Sequence, residues 1–138
     1  MGAIAVTAAL VGLVDPMKAD VRSYIATETI TKGQAVYILT TGKVGVADAN
    51  ASGKQQFRGI ALNGGGAGQA IDVCHKGELY GFTLSGDAES FVYLSDSVGE
   101  LADTNGTMTV PVGRVECLTD KDLTKVLRVF TSWDADWS

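Results

Sequence analysis

The sequence predicts an all-β fold: a small barrel or sandwich of short antiparallel strands, built from two similar halves and preceded by an extended N-terminal arm. Three observations carry this expectation. Seventeen glycines stand against two prolines in 138 residues, and 46% of the chain is hydrophobic, which supplies one core and many tight turns. Short runs of alternating apolar and polar residues recur between turn signals. The order of those runs then repeats: Val36 to Val92 is a step of 56 positions, and Gly59 to Gly113 a step of 54. The expected organisation is an arm over residues 1–20 and a single β domain over 21–138, with the repeat covering approximately 34–75 and 90–130.

The arm comes first. "MGAIAVTAALVGLVDP" is apolar and carries no basic residue, and Asp15-Pro16 stands where an export signal would need small residues. It is too short to span a bilayer, and Val6 occupies the position where myristoylation needs Ser or Thr. Read as a strand, it places Ile4, Val6, Ala8, Leu10 and Val14 on one face. An uncharged apolar arm needs a cover, so Ile4, Val6, Leu10, Val11 and Val14 are candidate contacts with another chain, docked as an added strand.

Strands are then expected near 21–27, 34–39, 43–48, 57–62, 69–75, 78–84, 90–95, 99–103, 108–117 and 124–132. Turn chemistry separates them at Lys32-Gly33, Thr41-Gly42, Ser52-Gly53, Gly86-Asp87, Asn105-Gly106 and Asp120-Lys121-Asp122. Pro111 inside one strand marks an edge or a bulge, because proline cannot donate to a ladder. The repeat is readable in residues. "VYILTTGKVGVAD" corresponds to "VYLSDSVGELAD", "RGIALN" to "VGRVEC", and "AIDV" to "VLRV".

The cluster Gly64-Gly65-Gly66-Ala67-Gly68 raises the question of a ligand loop. No Lys-Ser/Thr follows it, no third glycine completes a dinucleotide fingerprint, and no helix pattern follows. Between two strands it reads as a turn that needs positive φ. His75, the single histidine, is expected at a hairpin end, and its spacing from Asp72 puts the two on opposite faces of a strand. No G-x-S-x-G elbow is present, and no calcium loop follows Asp120 and Asp122 or Asp134 and Asp136. No catalytic residue, metal or cofactor is expected. Cys74 and Cys117 read as free, buried thiols rather than a disulfide framework. A formal net charge of −5 without a basic cluster argues against nucleic acid as a partner, and no membrane segment is expected. Trp133 and Trp137, crowded near the C-terminus, are candidate subunit-interface residues.

The pattern "KGQAVYILTTGKVGVAD…FRGIALNGGGAGQAIDVCHKGELYGF…VYLSDSVGELAD…VPVGRVE" resembles the head decoration, or cement, proteins of tailed bacteriophages from roughly Lys32 to Val129. The motifs that carry the likeness are strand residues and structural glycines. The resemblance implies a compact β domain, a homotrimer, and a place on the outer capsid surface of the virion, with the major capsid protein as partner. Such a protein is made in the host cytoplasm and is not an enzyme. The alternative is a carbohydrate- or receptor-binding β module of a phage particle, which would display exposed aromatics on one face.

Overall fold

In the computed structural model, which describes residues 3–119, 121 and 123–130, the chain is all-β, and its sheet curls into a half-barrel. The strands in chain order are β1 (Ala3–Ile4), β2 (Gly12–Leu13), β3 (Asp20–Ile25), β4 (Ala35–Ile38), β5 (Val44–Val46) and β6 (Phe57–Ala61). They continue with β7 (Ala70–Tyr80), β8 (Phe91–Leu94), β9 (Leu101–Ala102), β10 (Pro111–Cys117) and β11 (Lys125–Val129). Every named strand pair is antiparallel, so short turns suffice to connect them.

The two halves share one topology. In the first, β5 pairs with β4, β4 with β6, and β6 with β7. In the second, β9 pairs with β8, β8 with β10, and β10 with β11. Even the irregularities correspond. The β4–β6 ladder slips at Val36/Tyr37, opposite Gly59, and the β8–β10 ladder slips at Pro111/Gly113. The glycines there do the same work. A Cβ on Gly59 would collide with the carbonyl oxygen of Cys74, and one on Gly113 with the carbonyl oxygen of Arg128. At each bulge the next strand passes too close for a side chain.

β7 joins the halves. The sequence predicts two strands, 69–75 and 78–84; the structure has one eleven-residue strand running through Gly77. Its first part pairs with β3 and β6, and its last part with β2 and β11. Alternation along the first-half strands therefore feeds two cores. Ala35, Ile60, Cys74 and Leu79 enter the larger one with Val92, Leu94, Val110, Val112 and Leu127. Val36, Ala61, Ile71 and Val73 enter a smaller one with Ala26, Ile30 and Val44. A strand buried on both faces reads as a near-continuous apolar run, which "GIAL" and "AIDVC" approach.

The N-terminal stretch corrects the expectation of an arm covered only by another chain. Ile4 pairs with Leu101 at the edge of β9, Val6 bridges to Phe82, and Gly12 and Leu13 pair with Tyr80 and Leu79 of β7. Residues 3–13 thus run from one free edge of the second-half sheet to the other. The predicted single face is also broken. Residues Ala8–Leu10 form a 3-10 turn that interrupts the alternation. Ile4 and Val11 are buried in the larger core, Val14 is half-buried, and Val6 and Leu10 are exposed.

Candidate interaction surface

The glycine cluster is a turn whose backbone is already engaged. Gly65 exchanges both main-chain hydrogen bonds with Ile30, at 2.8 and 2.9 Å. The Gly66 N–H donates to Gln69 Oε1 at 2.6 Å, and the Gly68 N–H donates to the Ala26 carbonyl at 2.8 Å. A phosphate cradle needs such amides pointing outward; here three of them bind the loop to its own domain. Only Gly68 takes a positive φ, +87°.

His75 is a second correction. It lies inside β7, not at a hairpin end, and is fully buried. The β3–β7 register explains this: Asp20 pairs with Lys76 and Val21 with Cys74, so His75 is the extra residue of a bulge. The bulge turns Cys74 into the larger core and sets His75 against Tyr24, with Oη and Nε2 hydrogen-bonded at 3.0 Å. Loss of hydration on burial lowers the imidazole pKa to about 4; Asp20 opposes the shift, and Arg58 and Arg22 reinforce it. The ring is therefore neutral at pH 7 and ties β3 to β7.

A pH dependence follows. The unfolded chain takes up this proton near pH 6.5 and the folded chain only near 4, so stability is full above about 6.5 and falls as pH drops through that window. The total reaches about 3 kcal/mol at pH 4. Urea midpoints of the wild type should fall more steeply between pH 7 and 4.5 than those of His75→Gln, which cannot titrate there. Parallel slopes would contradict the assignment.

The remaining candidate groups fall apart as sites. Burial raises the Cys74 thiol to about 11, and Cys117 is half-buried rather than buried; both are free. Arg128 pairs with Glu116 at 2.8 Å and Glu89 at 3.0 Å, while Arg114 lies 4.0 Å over the Phe91 ring. These contacts, with Glu89 also 3.7 Å from Arg114, offset the charge of two arginines that the β10–β11 register sets opposite each other. Among the described residues no three His, Cys, Asp or Glu side chains group as a metal site. No helix among them is long and apolar enough to cross a membrane. Trp133, Trp137, Asp120, Asp122, Asp134 and Asp136 lie outside the described residues.

Apolar surface is where the described residues concentrate something unusual. Among the described residues nine large hydrophobic side chains are exposed, and five of them, Val6, Leu10, Met17, Val21 and Ile25, fall within residues 6–25. Met17 is 92% exposed and Leu10 65%. Scattered surface apolars need no explanation, but a run of five on one stretch does. Two open grooves of about 430 Å³ flank this stretch. Thr7, Leu10, Tyr80, Phe82 and Lys125 line one of them. Asp15, Lys18, Lys76, Arg128 and Phe130 line the other. Sequence reasoning found Val6 and Leu10 but missed Met17, Val21 and Ile25. Spacing of four puts Val21 and Ile25 on one face of the expected strand 21–27, but alternation alone does not say whether that face is covered.

Comparison with protein-family models, curated proteins and solved structures finds no match to this chain.

Proposed function

We propose that this chain is a non-enzymatic structural protein of a tailed-phage particle, one that decorates and stabilises the outer surface of the capsid as a homotrimer. The strand-and-glycine pattern that resembles head decoration proteins motivates the reading. The observation that carries it is the exposed apolar stretch of residues 6–25, folded onto the domain yet left facing solvent. A face of this kind is a contact surface for another protein. On this reading its partner is the major capsid protein, with Leu10 and Met17 as anchors.

Charge on those anchors separates binding from folding. Leu10→Asp and Met17→Asp sit on exposed side chains and should change stability by less than about 0.5 kcal/mol. Each should weaken attachment to expanded shells lacking the protein by roughly tenfold or more, about 1.4 kcal/mol, in a co-sedimentation assay. Wild-type attachment by both variants would overturn the assignment of this face.

A further inference from the structure

We propose that Asn105 is a site of spontaneous modification: the Gly106 amide nitrogen closes on its side chain, converts it to aspartate or isoaspartate as the folded protein ages, and so loosens the turn between β9 and β10. The chain has three asparagines, Asn50, Asn63 and Asn105. Ring closure needs an unhindered amide in the next residue and a side chain free to turn onto it. Glycine meets the first need because it places no Cβ beside that amide. Asn63 and Asn105 each precede glycine, whereas Asn50 precedes Ala51. Asn50 and Asn105 are counterparts in the repeat, "DANA" against "DTNG", so only the second half has glycine there.

The fold separates the two that precede glycine. Asn63 is half-buried and held at both ends of its amide. Its Oδ1 accepts from the Asp72 N–H of β7 at 2.7 Å, and its Nδ2 donates to the Ala70 carbonyl at 3.3 Å. The backbone beyond it is pinned as well, since Gly65 exchanges both main-chain hydrogen bonds with Ile30. Asn105 is exposed, and its Nδ2 donates within its own turn, to the Gly106 carbonyl and to Thr109 Oγ1, each at 3.3 Å. Small displacements of reacting atoms cost large factors in rate, so a side chain tied to β7 closes far more slowly than one tied to its own turn.

The step balances with water as the sole co-reactant. Solvent base takes the Gly106 amide proton, the nitrogen attacks Asn105 Cγ, and the Cγ–Nδ2 bond breaks. Nδ2 takes up a proton and leaves as ammonia. Water then opens the cyclic imide at either carbonyl, giving aspartate or, with the main chain rerouted through Cγ, isoaspartate. Either product sets a new carboxylate beside Asp96. The Asp96 carboxylate lies against Gly106 and accepts from the Thr107 N–H and Oγ1 at 2.8 and 2.9 Å. Repulsion between the two carboxylates weakens that hold on Thr107. This inference stands apart from the capsid reading.

Peptide mapping by mass spectrometry tests it on the full chain, kept folded in warm, mildly alkaline buffer. Asn105 should convert at least about tenfold faster than Asn63 or Asn50. In concentrated urea Asn63 and Asn105 should convert at similar rates, because unfolding removes the ties that protect Asn63. Asn105→Asp copies one product at an exposed site. It should shift the thermal midpoint by less than about 3 °C, yet quicken amide exchange at Thr107 by about threefold or more. Conversion at Asn105 no faster than at Asn63 in the folded chain, an intact Asn63 in urea beside a converted Asn105, or unchanged exchange at Thr107 in the variant would each overturn the proposal.

Discussion

Deleting residues 3–13 is expected to abolish cooperative folding of the domain. Ile4 and Val11 lie in the larger core at 9% and 3% exposure. Their removal forfeits roughly 1.5–3 kcal/mol each, and it also uncovers Phe82, Leu79 and Leu101, which they and their strands cover. The two sheet edges that residues 3–13 join would be left open. The total exceeds about 5 kcal/mol, the lower end of the stability of an ordinary domain. A thermal melt followed by circular dichroism should therefore show no sigmoidal transition in the truncated chain. A midpoint close to that of the full chain would mean that the N-terminal stretch is a detachable arm after all. Leu10→Asp serves as the contrast, since it alters the same segment at a residue that faces water.

The second large effect belongs to the paired glycines. Gly113→Ala and Gly59→Ala each place a Cβ against a main-chain carbonyl of the neighbouring strand, which cannot turn aside as a flexible side chain would. Each should cost more than about 3 kcal/mol, the range in which a specific structural conflict rather than general surface change is at work. Gly12→Ala is the control: nothing lies within 4 Å of its added Cβ, and its stability change should stay within about 1 kcal/mol. Urea titration of the three variants tests the duplicated unit directly. If Gly113→Ala were tolerated and Gly59→Ala were not, the two bulges would not be equivalent.

Much of this fold was legible in the sequence because its signals are local. Alternation of apolar residues and turn glycines such as Gly42 (φ +90°) and Gly53 (φ +89°) place most strands to within two residues. The repeat was readable because both halves need glycine at the same bulge. Pro111 marked one of those bulges correctly. What stayed hidden depends on contacts distant along the chain. The partners of residues 3–13 are β9, Phe82 and the end of β7, some 70 to 100 residues away, and no periodicity encodes them. Gly77 looked like a break between two strands, yet β7 passes through it because strands on both sides hold it. His75 looked like a chain-reversal residue because a lone polar residue beside a lysine and a glycine resembles a turn. Only the register against β3 reveals the bulge that buries it.

The candidate surface divides in the same way. Val6 and Leu10 were legible as apolar residues without a core to join, while Ile4 and Val11, their neighbours in the same run, found one. Met17, Val21 and Ile25 became visible only when the turn at Pro16–Lys18 and the pairing of β3 with β7 placed them on the surface.

Quantitative mass spectrometry of purified phage particles tests the central claim most directly. The chain should be present in a fixed, high ratio to the major capsid protein, and a chaotropic wash that leaves the shell intact should release it. Its absence from the particle, or its presence at only a few copies per shell, would contradict a decorating role on the capsid surface.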